Sequence, residues 1–150
     1  MSFKIYFAAG HGGFEMKKVL VEYVKELGYE VEDLGAYEFD GADDYPDLTS
    51  KAARAVSENP ENSRGIILGA SGQGEAMVAN RIKGIRAVVF YGGDWESRSK
   101  EIIRLSRDHN DANILSIGAR FVDDETAKKA IELWLNVPFL KEERHKRRIG

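Results

Sequence analysis

Five short β-prone runs alternate with segments of helical spacing, and this alternation constrains the fold more than any other feature. Residues 5–9 close on Gly10, and over 14–27 the apolar Leu20, Val21, Val24 and Leu27 share one helical face, with Gly28 placed to end it. Residues 31–34 form a second strand pattern. A polar loop rich in Asp and Gly follows, and Pro46 opens a helical stretch through Ala52, Ala53 and Val56. Residues 65–68 read as a buried strand that runs through glycine-rich 69–74 into a short helix with Met77 and Val78. The largely apolar run 85–90 suits a parallel strand covered on both faces. A long polar helix over about 95–108, a fifth strand at 113–117 and a last clear helix at 126–135 complete the pattern. Such a series predicts an α/β fold: a three-layer α/β/α sandwich around a five-stranded, mostly parallel Rossmann-like sheet with right-handed crossovers. The 150 residues suit one domain, 1–150, with 138–150 a basic C-terminal tail.

Composition narrows the chemistry. With 43% hydrophobic and 31% charged residues the chain has enough apolar surface to fold, which excludes global disorder. The absence of cysteine excludes disulfides, a thiolate nucleophile and any zinc site using sulfur. No basic stretch followed by a long apolar run opens the chain, and no apolar run approaches the roughly 20 residues of a membrane span. A cytoplasmic protein is expected. The net charge of −3 is uneven, because 141–148 carries +3 and leaves −6 on the rest. That balance argues against a general nucleic-acid surface and permits a local anion site.

Ligands of such folds collect at the carboxyl ends of the strands. The sequence 69–75, Gly-Ala-Ser-Gly-Gln-Gly-Glu, therefore stands out. Glycines between a strand and a helix let successive backbone N–H groups converge on an anion. The run is not a nucleotide-binding loop, since no Lys-Ser or Lys-Thr follows and a third fingerprint glycine is missing. Glu75 admits two readings: a carboxylate complementing the helix dipole, or a base beside an oxyanion site. His109, in Arg107-Asp108-His109-Asn110-Asp111, is either a proton shuttle or a helix C-terminal residue with Asn as cap. His11 and His145 are isolated from each other and from His109, without i, i+4 pairing, so no metal site is expected. The tail arginines either clamp a phosphate or form a solvated end. Trp95 and Trp134 are read as packing residues.

Seven pieces in one order resemble the ribose-5-phosphate isomerase B family, which includes the galactose-6-phosphate isomerase subunits. They are His11-x-Gly13-Phe14, Asp44-Tyr45-Pro46, Gly69-x-Ser71-Gly72-x-Gly74-Glu75, Ala79-Asn80-(x)₃-Gly84-Ile85-Arg86-Ala87, His109-Asn110-Asp111, Gly118-x-Arg120 and Arg144-His145-(x)₂-Arg148. The resemblance implies an aldose–ketose isomerase of a phosphorylated sugar that works through a cis-enediolate without metal or cofactor. One branch of the family takes its base from a cysteine at the position of Gly69, and the other from a glutamate matching Glu75. By the same matching, Ser71 holds the base or substrate, and the N–H groups of Gly72, Gln73 and Gly74 form the anion hole. His109 assists ring opening with Asn110 beside it; His11, Arg120, Arg144 and Arg148 hold the phosphate; Tyr45 lines the sugar site. A homodimer, or a dimer of dimers, with shared sites is implied, with no nucleic-acid or membrane partner.

Two departures bear on the substrate. Family members usually carry Asp where Gly10 stands, and Asp43, Asp44 and Asp94 are the carboxylates in nearby loops that could replace it. The stretch 90–108 is also longer than is typical. Both leave open which sugar phosphate is used, and Gly10 motivates a rival reading, a non-catalytic sugar-phosphate sensor or regulatory subunit on the same scaffold.

Overall fold

A computed structural model describes residues 3–150. Five strands, β1 (Lys4–Ala9), β2 (Glu30–Asp33), β3 (Ser63–Gly69), β4 (Ala87–Phe90) and β5 (Ile114–Gly118), form one sheet in the order β2-β1-β3-β5-β4. Every pairing is parallel. The helices are α1 (Phe14–Glu26), α2 (Tyr45–Glu58), α3 (Gln73–Ala79), α4 (Lys100–Asp108), α5 (Asp124–Asn136) and α6 (Glu143–Ile149). None is long and apolar enough to cross a membrane.

Side-chain alternation along the buried strands builds the three layers. Ile66 and Leu68 of β3 face α1 and α5 with Ile5, Phe7, Leu20 and Trp134, whereas Ile67 between them faces α2 with Ala8, Ala53 and Val56. The continuous apolar run of β3 therefore serves both faces. Trp134 is fully buried, and Trp95 packs edge-on against Phe90 with ring centroids 6.2 Å apart, so both tryptophans are packing residues. Lys17 of α1 lies in the core at 1% exposure, where its ammonium meets Asp33 at 2.6 and 2.8 Å and the Ala36 carbonyl at 2.7 Å. These bonds tie α1 to the loop after β2.

Several details differ from the sequence expectation. The second strand sits one residue earlier, at Glu30–Asp33. The fourth begins at Ala87 rather than 85, because side-chain amides occupy the backbone groups before it: Asn113 Oδ1 accepts from Arg86 N–H at 2.8 Å. Asn80 likewise accepts from Ala87 N–H and donates to its carbonyl. β4 is moreover an edge strand whose Ala87, Val88 and Val89 are half-buried, not covered on both faces. The long helix at 95–108 is two pieces, a π-helical turn (Trp95–Ser99) whose Glu96 N–H is capped by Asp94, followed by α4. The basic tail is helical in α6, with His145 on its buried side.

Candidate active site

The strand order reverses between β1 and β3, since the chain leaves β1 toward one edge and returns to build the other. A crevice at the carboxyl ends of those two strands is the expected binding place. A 270 Å³ cavity lies there, walled by His11 from the turn after β1, Ser71 and Glu75 from the β3–α3 connection, and Tyr45 from the start of α2. A larger cleft of 630 Å³ beside it is lined by Asp40, Asp43, Asp44 and Asp47 with Lys51 as the one cation. That acidic lining disfavours an anionic ligand.

Close packing makes the smaller cavity. Gly72 adopts φ +78°, a left-handed conformation that turns the chain from β3 into α3. Ser116 Oγ fixes the turn by donating to the Gly72 carbonyl at 2.6 Å. A Cβ on Gly74 would overlap the Tyr45 hydroxyl, so the phenol rests directly on the first turn of α3. The first-turn N–H groups of a helix have no acceptor within it. Here Ser71 Oγ accepts from Gln73 N–H at a long 3.3 Å.

Glu75 is the buried carboxylate of the cavity, 6% exposed and without a paired cation among the described residues. Burial pushes its carboxyl above the ordinary glutamate value, and its own backbone N–H only partly offsets this. Its side chain occupies the volume that a Cβ on Gly69 would take. The helix-dipole placement and the placement against a ligand cavity hold together, because Glu75 sits in the first turn of α3 and lines the pocket.

Other predicted site residues lie elsewhere. Arg120 is near the rim, where its N–H donates to the Ala70 carbonyl at 3.0 Å while its side chain is exposed. His109 and Asn110 precede β5 and so lie at the amino ends of the strands, whereas Glu75 follows β3 at the carboxyl ends. The sheet's strand length, about 15–20 Å, separates the two within one chain. His109 is the C-terminal cap residue of α4, and its ring stacks on His145 of α6 with centroids 4.2 Å apart. Asp111, not Asn110, takes the left-handed conformation there (φ +47°), clamped by Arg107 at 2.8 Å and Arg86 at 3.3 Å. Arg144 and Arg148, one helical turn apart on α6, are exposed beside this stack. Burial, with the neighbouring His109, lowers the His145 pKa. The chain thus carries two clusters: His11, Tyr45, Ser71 and Glu75 at one end, His109, Asn110, Arg144 and Arg148 at the other.

Of the loop carboxylates, Asp43 is the one beside Gly10; Asp44 starts α2, and Asp94 is committed to its cap. Neighbouring aspartates in an irregular loop carry no periodic signal that distinguishes them in the sequence. No cluster of three or more His, Asp or Glu suited to a metal ion occurs among the described residues.

Residues 5–150 match the model of the ribose/galactose isomerase family. Ribose-5-phosphate isomerase B of Mycobacterium tuberculosis is 35% identical over 97% of this chain and 85% of its own length. The Escherichia coli protein of the same name is 38% identical over 97% and 91%. The crystal structure of ribose-5-phosphate isomerase B from Mycoplasma genitalium with bound ribulose 5-phosphate superposes with a TM-score of 0.90 at 36% identity. It covers 99% of this chain and 93% of that one.

Proposed function

The chain belongs to the ribose/galactose isomerase family, and from that premise we propose that it interconverts the aldose and ketose forms of a phosphorylated sugar. Ribose 5-phosphate and ribulose 5-phosphate, or a closely related pair, are the substrates. The observation that carries the reading is Glu75, a buried carboxylate without a paired cation among the described residues and with a raised pKa, which walls a cavity beside the first turn of α3.

Chemistry follows from that arrangement. Once the sugar ring is open, the Glu75 carboxylate takes the C2 proton of the aldose while the C1 carbonyl oxygen gains negative charge. The resulting cis-enediolate is held by the N–H groups of Gly72, Gln73 and Gly74 with Ser71, whose long bond to Gln73 N–H is readily exchanged for a substrate oxygen. The Glu75 carboxyl then delivers its proton to C1 while the O2 proton passes to O1, leaving the ketose. A carboxyl raised by burial suits this double duty, being a stronger base than a solvated glutamate and a competent acid afterwards. Tyr45 packs against the sugar, and His11 and Arg120 approach its far end.

The second cluster serves the site of another copy. His109 and Asn110 for ring opening, and Arg144 and Arg148 for the phosphate, lie too far from Glu75 in their own chain. A two-fold homodimer brings each cluster to the partner's cavity. Arginines on α6 would supply the positive charge that the acidic body lacks. The rival reading, a sensor without turnover, is not favoured, because the curated relatives are isomerases by name. An enzyme acting on free sugar phosphates fits the cytoplasm.

The test is proton exchange at C1 and C2, followed by NMR in D₂O with ribulose 5-phosphate and with tetrose and hexose phosphates. Exchange by the wild-type protein and its loss in Glu75→Gln are expected. Binding without exchange by the wild type, or undiminished exchange in Glu75→Gln, overturns the reading.

A further inference from the structure

Gly10 joins β1 to the His11 turn with φ −79° and ψ −171°, an extended conformation open to any residue. Its missing side chain therefore concerns space, not backbone freedom. Asp43 fills that space. A Cβ on Gly10 would lie 3.2 Å from Asp43 Oδ1 and 3.1 Å from Tyr45 Cβ, tighter than ordinary contacts. The same Oδ1 bonds twice to one residue, accepting from His11 N–H at 3.1 Å and meeting His11 Nδ1 at 2.9 Å. The Asp43 side chain is 13% exposed, and its Oδ2 is buried with no donor among the described residues.

Burying a carboxylate this far, with one oxygen unpartnered, costs stability. The loop does not need it for its own shape: Asp40 makes the local turn, accepting from Ala42 N–H through its side chain and from Asp43 N–H through its carbonyl. What Asp43 does fix is the imidazole that walls the cavity. A carboxylate at Nδ1 selects the tautomer with the proton on that nitrogen and holds the ring plane. Nε2 is then the ring nitrogen left for a ligand.

We propose that Asp43 is a positioning residue of the isomerisation: it locks His11 from behind, so that Nε2 meets a substrate oxygen in one tautomer and one orientation. When Nε2 accepts a proton from a substrate hydroxyl, the ring becomes cationic and the buried carboxylate stabilises it. Position 10 and position 43 are then two alternative origins for a carboxylate at the same imidazole, one from the end of β1 and one from the loop before α2. The inference rests on the reading of the cavity as an isomerase site, and its experiment separates the two.

Three variants test it: Asp43→Ala, Asp43→Asn, and Gly10→Asp combined with Asp43→Ala. Each is assayed for kcat and KM with ribulose 5-phosphate, for the ¹⁵N shifts of the His11 ring, and for thermal unfolding. Asp43→Ala is expected to lower kcat/KM by about ten- to hundredfold, the loss typical of a hydrogen bond to a charged group, and to erase the Nδ1–H signature. Asp43→Asn, which keeps the shape without the charge, is expected to lose activity while unfolding like the wild type. The double variant returns a carboxylate to the ring and is expected to recover much of the turnover. Turnover in Asp43→Ala close to wild type, or a loss with the His11 tautomer unchanged, overturns the proposal. Should the wild-type protein show no exchange with any sugar phosphate, the function reading fails by itself. Asp43 is then judged on the ring alone: Nδ1–H present in the wild type and lost in Asp43→Ala supports it, and an unchanged ring overturns it.

Discussion

Gly69 and Glu75 compete for one volume: a Cβ built on Gly69 would overlap the Glu75 carboxyl group. The residue at the end of β3 and the residue in the first turn of α3 are thus a single structural decision. A carboxylate can turn back over the strand end only where the strand end carries no side chain. This gives physical content to the two branches that the resemblance implies, since any side chain at position 69 and a carboxylate folded in from position 75 exclude one another.

Gly69→Ala is accordingly expected to push the Glu75 carboxylate out of its place. A misplacement on the order of 1 Å costs about a hundredfold in turnover, and overpacking costs about 1–3 kcal/mol of stability. Steady-state kinetics and denaturant unfolding measure both. Unchanged kcat in a folded Gly69→Ala variant would show that the carboxylate has room elsewhere.

Glu75 also predicts a pH dependence of stability. Its folded-state pKa is raised by burial, so the folded protein binds the proton more tightly than the unfolded chain does. The wild type should therefore lose stability relative to Glu75→Gln as pH rises from the ordinary glutamate value through the raised one. Paired denaturation curves at several pH values between about 4 and 8 measure this difference. In the same variant, turnover should fall by about 10²–10⁴.

His145 behaves in the opposite sense. Its folded-state pKa is lowered, chiefly by burial and then by the stacked His109, so the neutral ring is the form that docks α6. That contribution is present above the ordinary histidine value and is lost as pH falls through the depressed one. Protection of the amides at 143–149, taken relative to the unstructured exchange rate at each pH, should therefore fall in the wild type as pH drops below the ordinary histidine value of about 6.5. In His145→Phe, which keeps an aromatic ring without the charge, that loss of protection should be absent.

Mixing two inactive variants tests the shared site. Glu75→Gln and His109→Ala carry their defects at opposite ends of the sheet, so a two-fold heterodimer of the two holds one site with both defects and one with neither. After subunit exchange, random pairing should restore about a quarter of wild-type activity. Activity that stays at the level of the separate variants would mean that both residues act within one chain.

The alternation of strands and helices, the glycine turns and the apolar run of β3 made the parallel sheet and its layers legible in the sequence, because periodicity reports which faces are buried. The motif around Gly69–Glu75 located the cavity for the same kind of reason, since a strand-to-helix glycine turn has few other geometries. Edges were less legible: Asn80 and Asn113 end the β4 ladder through side-chain bonds that hydrophobic periodicity does not announce. The helix in the tail escaped too, because a contact that seats it, the stack of His145 on His109, joins residues 36 positions apart. The sequence by itself determined the fold class, the absence of any cysteine and the glycine-rich run that ends in Glu75, the proposed base. Only the tertiary structure decided that Glu75 fits because Gly69 yields its space and that Asp43 stands behind His11. It alone put the arginine-bearing cluster at the far end of the sheet. These are relations of volume and distance between segments remote in the chain, and they exist only once the chain has packed.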